Sequence, residues 1–206
     1  RHDKTRQGKI LQNSTFQIQR EKNMQSYKFN ITSVPGSELF FGKPVFETKL
    51  PTETHEQLAE RTWKQKINVD KNGQAAIVGF AVKNALQAAA KRLSMKLSGK
   101  ATYTKLFVQG TVAYGPFALF DHSGKAIMLD DVLVKKLFVP CGQGDNRVMR
   151  CFPYVEDWQT EVEIHTFDDR ITEGIMRTHL ITVGQYIGFG SMRVENGGLN
   201  GRFTVE

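Results

Sequence analysis

The sequence predicts an α+β fold in which helices cover one face of an antiparallel sheet. Apolar and polar residues alternate over residues 27–33 and 158–166, which is typical of half-exposed strands. Helical periodicity covers residues 79–93, and the order of segments does not suit a parallel doubly wound sheet. Given 206 residues and 40% hydrophobic content, we expect a single domain over residues 27–206, preceded by a basic polar arm over residues 1–26.

The first half of the predicted domain contains two strands and two helices. Residues 27–33 form the first strand, with three large apolar side chains on one face. Residues 54–57 open a short helix that runs to about Trp63. Residues 75–78 predict a short buried strand, followed by the strongest helix of the chain over residues 79–93. The residues expected to face inward from that helix are Phe80, Val82, Leu86, Ala89, Ala90 and Leu93.

The second half is predicted to contain further strands and one more helix. Residues 105–112 and 132–140 predict strands. The strand over residues 158–166 directs Trp158 and two aliphatic residues inward.

Capping residues predict where the last helix begins and ends. Asp168 and Asp169 offer N-caps, and Gly184 occupies the expected C-terminal cap position. Residues 201–205 predict a closing strand.

Composition excludes several classes of protein. The chain has no run of eighteen apolar residues, and residues 1–30 contain no apolar signal core. We therefore expect a soluble cytoplasmic protein that does not contact a membrane. The two cysteines, Cys141 and Cys151, are too few for a disulfide framework and lack zinc-site spacing, so both are expected to be reduced thiols. We predict no metal and no cofactor.

The net charge of +7 is unevenly distributed along the chain. Residues 1–30 hold seven Lys/Arg against two Asp/Glu, whereas residues 156–206 hold four Lys/Arg against nine Asp/Glu. This gradient suits a polyanion on one face and a basic neighbouring subunit on another. A solvated surface with a chance gradient is the alternative.

A glycine-rich segment near the end of the chain is the most specific local pattern. Gly188 and Gly190 directly follow the last predicted helix, and glycine permits positive φ and a close approach of another backbone or a phosphate. The pattern is not a dinucleotide or triphosphate fingerprint, since it follows a helix and lacks Gly-Lys-Ser/Thr. A purely structural loop would lose stability on Gly→Ala substitution, and binding would fall only in proportion. If the loop also lets the backbone approach a phosphate or a neighbouring subunit, a Cβ at Gly190 should weaken binding or assembly with little change in thermal stability, and Arg193 would place a forked donor beside a phosphate.

The chain resembles the RAMP superfamily of repeat-associated proteins, which form the repeating backbone of CRISPR effector complexes and recur as stand-alone phage and plasmid proteins. The similarity covers roughly residues 60 to 206. It is carried by Ile187-Gly188-Phe189-Gly190 with Arg193, by Gly201-Arg202-Phe203, by Arg150-Cys151-Phe152-Pro153-Tyr154 leading to Trp158, and by Ala75-Ala76-Ile77-Val78 before the Ala-rich helix. The resemblance implies a modified ferredoxin-like (RRM-like) fold, filament formation along a single-stranded nucleic acid, and no catalysis in most members.

Two groups of cations are candidates for nucleic-acid binding, together with Gly188, Gly190 and Arg193. The first group is Lys91, Arg92, Lys96 and Lys100, at the end of the strongest helix and in the loop beyond it. The second group is Lys135, Lys136, Arg147 and Arg150, which flank a loop over residues 141–146 that has the composition of a hairpin tip. Compensation of the helix dipole is the alternative for the first group.

Aromatic residues near loops are candidates for base stacking, although most are expected in the core. They are Phe40, Phe41, Tyr103, Tyr114, Phe117 and Phe120.

Catalytic candidates are weak. Asp121 and His122 lie in a loop where they could act beside an RNA 2′-hydroxyl, and Asp168-Asp169 could hold Mg²⁺. A turn aspartate and a helix N-cap are the simpler interpretations.

The sequence therefore predicts a non-enzymatic protein that binds single-stranded RNA or DNA and oligomerises along the strand. The alternatives are a RAMP-type endoribonuclease that uses His122 or Asp121, and a viral structural protein with a genome-contacting basic arm.

Overall fold

A computed structural model describes residues 24–140 and 147–206. The predicted arm, apart from residues 24–26, and the loop over residues 141–146 lie outside the described residues. The strands in chain order are β1 (Gln25–Ser33), β2 (Leu39–Phe40), β3 (Ala76–Ile77), β4 (Lys96–Ser98), β5 (Ala101–Thr102), β6 (Thr111–Val112), β7 (Phe117–Ala118), β8 (Leu133–Pro140), β9 (Arg147–Val155), β10 (Gln159–Thr166) and β11 (Phe203–Val205). The helices are α1 (His55–Thr62), α2 (Gly79–Leu93), α3 (Thr104–Gly110) and α4 (Glu173–Thr182), and a π-helix (Val183–Ile187) continues α4.

The main sheet has four strands in the order β11-β1-β10-β6, and every neighbouring pair is antiparallel. Its inner face carries Phe29, Ile31, Val162 and Ile164, all nearly inaccessible to solvent. Helices α2 and α4 contact each other, and α4 also contacts β1 and β11. The intervening residues of β1 and β10 are mostly exposed or half-buried, so the predicted half-exposed antiparallel strands are confirmed.

A second, three-stranded sheet has the order β2-β9-β8, in which β8 and β9 form a long hairpin. Helix α1 packs on β9, and Cys151 of that strand is fully buried. Strand β9 was not predicted from the sequence. Arg61 of α1 donates to Glu47 and Glu53, which fastens the long loop after β2 to this helix.

The secondary structure of residues 105–112 was predicted incorrectly. They were expected to form a strand but contain α3 followed by the two residues of β6. Phe107 is completely buried, whereas Val108 is exposed, and the Thr104 hydroxyl donates to the Ala90 carbonyl at the end of α2. Packing of this seven-residue helix against α2 therefore overrides the β propensity of the segment.

The caps expected for the last helix are also wrong. Its N-cap is Thr172, whose side chain accepts from the Ile175 amide, while Asp168 accepts from Arg170 instead. The helical backbone does not stop at Gly184 but continues to Ile187. A Cβ on Gly184 would lie 2.2 Å from the Phe203 carbonyl oxygen, so this glycine serves helix–strand packing and not chain reversal.

The remaining elements agree well with expectation. Helix α2 spans the predicted residues, and α1 begins with a capping box between Thr54 and Gln57. Two residues of α2 are exceptions, because Phe80 and Leu93 were expected to face inward and are 71% and 36% exposed. None of the helices in the described part of the chain is long and apolar enough to cross a bilayer.

Candidate functional site

A groove of about 580 Å³ runs between α2 and the glycine-rich segment that follows the π-helix. We call it the α2 groove. On the helix side it is lined by Phe80, Asn84, Gln87 and Lys91, whose spacing of three or four residues places them on one stripe of α2. The opposite wall is formed by residues 187–190 with Arg193 and Glu195. The fold therefore brings Lys91 to the same groove as the predicted Gly188, Gly190 and Arg193.

A second hollow of about 370 Å³ adjoins the α2 groove at Gly190. The two share five lining residues, Val78, Ala81, Phe189, Gly190 and Arg193, and the second extends to Lys43 in the loop after β2. The glycine-rich segment therefore borders both concave surfaces.

The glycines of this segment are required by the protein's own packing. Gly188 and Gly190 have φ of +75° and +83°, in the left-handed region that disfavours other residues. The Ser191 amide donates to the Phe40 carbonyl over 2.9 Å, which brings β2 so close that a Cβ on Gly190 would lie 2.3 Å from that oxygen. This close contact favours the structural alternative, in which Gly190→Ala lowers thermal stability.

Arg193 lines the groove, but its guanidinium already forms hydrogen bonds within the protein. Its guanidinium donates to the Glu195 carboxylate over 2.8 and 3.1 Å and to the Gly190 carbonyl over 3.3 Å. The side chain is 35% exposed. Arg193 thus orders the glycine-rich segment, and a phosphate in the groove would have to share its donors with Glu195.

The first predicted cation group lies at and beyond the end of α2. Lys91 lines the groove, the Arg92 guanidinium lies 4.4 Å from the centroid of the Tyr186 ring, and Lys96 and Lys100 lie in the β4–β5 hairpin that follows. All four are exposed. With the carboxylates of residues 24–140 and 147–206, none of the four forms an ion pair.

The second predicted cation group lies on the β8–β9 hairpin and does not line the α2 groove. Two of its members are neutralised by carboxylates. Lys135 pairs with Glu38, which raises the pKa of the lysine, and its ammonium lies 4.4 Å from the Tyr154 ring centroid. Lys136 pairs with Glu60 over 2.6 Å. Arg147 and Arg150 are exposed on β9, so this hairpin offers fewer free cations than its sequence indicates.

The catalytic candidates occupy structural positions. The Asp121 carboxylate accepts from the Ser123 hydroxyl and from the Ser123 and Lys125 amides, and these bonds lower its pKa. Asp121 therefore closes a hairpin turn. His122 Nε2 lies 3.0 Å from the Ser33 hydroxyl, and Nδ1 lies 3.9 Å from Asp157. Within the described ranges, no group of three or more His, Cys, Asp or Glu side chains is arranged to hold a metal ion.

The aromatic candidates divide between core and surface. Phe40 and Phe41 are buried, Tyr103 and Phe117 are half-buried, and Tyr114 and Phe120 are exposed. Phe80 at the α2 groove and Tyr186 beside it are exposed aromatic residues that were not among the predicted stacking candidates. A helical wheel could have found Phe80, because at 100° per residue it lies about 160° from the buried Val82.

No family model and no curated protein matches this chain. Among solved structures, it is similar to a chain in the cryo-EM structure of the type III-B Cmr-beta bound to cognate target RNA, with a TM-score of 0.48 and 10% identity over 97% of this chain. That match spans 65% of the other chain's length. It is also similar to Cmr6 from Pyrococcus furiosus, with a TM-score of 0.45 and 13% identity over 89% of this chain and 98% of that chain. Both TM-scores are below 0.5, so neither structure assigns the chain to a family.

Proposed function

We propose that this protein binds single-stranded nucleic acid without cleaving it and oligomerises along the strand, as a RAMP-type protein with a modified ferredoxin-like core. The order β1–α2–β6–β10–α4–β11 supports the core assignment, because β-α-β-β-α-β is the element order of ferredoxin-like folds. The sheet β2-β9-β8 and helix α1 are additions to that core.

The α2 groove is the observation that carries the binding proposal. It combines the ammonium of Lys91, which pairs with none of the described carboxylates, with amide side chains and an exposed aromatic residue. Three further cations, free of the described carboxylates, continue from its end into the β4–β5 hairpin. Phosphates are bound by such cations, and bases by aromatic faces.

Fluorescence anisotropy with labelled single-stranded RNA and DNA tests this proposal. The variant K91A/R92A/K96A should bind at least tenfold more weakly than wild type while its thermal unfolding is unchanged, because the three side chains are exposed. A matched control, K49A/K71A/K125A, removes the same charge from exposed positions outside the groove lining and should bind almost normally. If both variants lose affinity equally, the loss is caused by the change in net charge, and this result would contradict binding in the α2 groove.

Oligomerisation is tested separately by light scattering with and without an oligonucleotide. The proposal predicts assembly that grows with oligonucleotide length. Assembly of the same size without any nucleic acid would contradict growth along a strand.

RNA cleavage by His122 is a second candidate function, supported by the ring's partial exposure and the Asp157 carboxylate beside it. Incubation with labelled RNA separates the two functions. We expect intact RNA, and cleavage that disappears in H122A would favour the enzyme.

A further inference from the structure

Phe80 is an exposed aromatic residue in a groove that is otherwise partly polar. It is 71% exposed, although its neighbours Gly79 and Val82 are buried. Its ring is not needed to complete the core, because the buried face of α2 is formed by other residues. An aromatic side chain left in solvent at a concave site is typical of ligand binding.

The α2 groove presents different chemistry along its length. Phe80 and Lys91 are eleven residues apart on one stripe of α2, a separation of about 16 Å at the helical rise. The exposed Asn84 and half-buried Gln87 lie between them on that stripe. An aromatic face thus marks one end of the groove and an ammonium group the other.

The charge around this stripe favours a polyanion over a protein segment of mixed charge. No Asp or Glu occurs in residues 71–120, which contain seven Lys/Arg and include all of α2 and the β4–β5 hairpin. Glu195 lines the opposite wall, but its carboxylate accepts from Arg193. The helix side of the groove therefore carries only positive formal charge.

We infer that Phe80 is a base-stacking residue: one base of a bound single strand lies on its ring, and the adjoining backbone runs along α2 toward Lys91 and Arg92. Aromatic stacking accepts every base, so the contact requires a base without specifying which one. A duplex keeps its bases stacked on each other and cannot offer one to the ring, so the site selects single strands. This inference rests on the proposed function and adds a residue and a strand preference to it.

Competition between normal and abasic oligonucleotides of equal length tests the inference directly. Both carry the same phosphates, but only the normal oligonucleotide can stack. Wild type should prefer it by roughly 5- to 150-fold, the range for one stacked base. F80A should lose most of that preference, F80W should keep it, and F80L should behave like F80A because it is apolar without an aromatic face.

Phe46 supplies a matched control, because it is 91% exposed and lines neither the α2 groove nor the adjoining hollow. F46A should retain the wild-type preference, and both alanine variants should unfold at the wild-type temperature. If wild type binds normal and abasic strands equally, or F80A keeps the full preference, Phe80 does not stack on a base, while nucleic-acid binding itself stands. If wild type binds no oligonucleotide at all, the proposed function fails and this inference with it.

Discussion

At the scale of single residues, Gly190 is part of a glycine-rich segment that resembles a binding loop, yet the contact with β2 already requires a glycine there. Its φ of +83° is unfavourable for any residue with a side chain. A Cβ would also clash with the Phe40 carbonyl oxygen, at a distance of 2.3 Å. We predict that Gly190→Ala lowers the free energy of unfolding by roughly 2 kcal/mol or more. The melting temperature should fall by several degrees, as measured by calorimetry.

Gly174→Ala is the matched control for that variant. Gly174 lies in the first turn of α4, and a Cβ there meets nothing within 4 Å. The substitution should be neutral or slightly stabilising, because alanine favours helix. An unchanged melting temperature in Gly190→Ala would contradict the close contact between the glycine-rich segment and β2.

His179 gives the fold a dependence on pH. The side chain is fully buried, stacks on Phe107 at 3.9 Å and bonds through Nδ1 to the Ile175 carbonyl, so Nδ1 must donate. Nε2 has no partner among the described residues. Burial is the main cause of its lowered pKa, so the folded protein holds the ring neutral while the unfolded chain protonates near its ordinary value of about 6.5.

We therefore predict that this contribution to stability is complete above about pH 6.5 and is lost as the pH falls. Urea unfolding at pH 7.5 and pH 5.5 should show a smaller loss in His179→Phe than in wild type. His55→Phe is the control, because His55 is exposed at the start of α1 and should not alter the difference. An equal pH dependence in wild type and His179→Phe would show that other groups cause it.

At the scale of elements, the sequence predicts best where local signals agree with tertiary packing. Helix α2 has strong propensity and a continuous apolar stripe, so its bounds are correct. Strands β1 and β10 pair along their full length, and this register places their predicted apolar residues on one face. Local periodicity was sufficient for these three elements.

The sequence predicts less where a distant contact decides the structure. Residues 104–110 become helical because Phe107 packs beneath α4 against His179, a contact that spans many residues of chain. The π-helix continues α4 because Gly184 permits close packing on Phe203 of β11. The α2 groove could be predicted only in part, since it forms between segments about a hundred residues apart in sequence.

Helix α1 provides a test at the same scale. The Thr54 hydroxyl accepts a hydrogen bond from the backbone N–H of Gln57, and the Gln57 side-chain oxygen accepts one from the backbone N–H of Thr54. Thr54→Ala should lower the free energy of unfolding by about 1 kcal/mol, the usual cost of losing such an N-cap. Chemical denaturation measures this, with the exposed Thr52→Ala as control. Equal stability of the two variants would mean that the capping box contributes nothing to the global fold.

At the scale of the whole molecule, the distribution of charge gives the α2 groove its polarity. Residues 71–120 carry seven Lys/Arg and no Asp/Glu, while residues 156–206 carry nine Asp/Glu. Helix α2 from the basic segment packs on α4 and the π-helix from the acidic segment. The groove therefore runs along the boundary between the two, with Lys91 on one wall and the Arg193–Glu195 pair on the other.

Salt dependence separates the two kinds of contact proposed for this groove. Each phosphate neutralised on a single strand contributes about −0.7 to the slope of log affinity against log salt concentration. If Lys91, Arg92 and Lys96 each contact one phosphate, K91A/R92A/K96A should bind more weakly and with a slope about 2 units shallower than wild type. F80A should also bind more weakly but keep the wild-type slope, because base stacking releases no counterions. Anisotropy titrations between roughly 50 and 200 mM salt measure both quantities. A wild-type affinity that does not change over this range would contradict phosphate binding altogether, and a shallower slope in F80A would show that its defect is electrostatic.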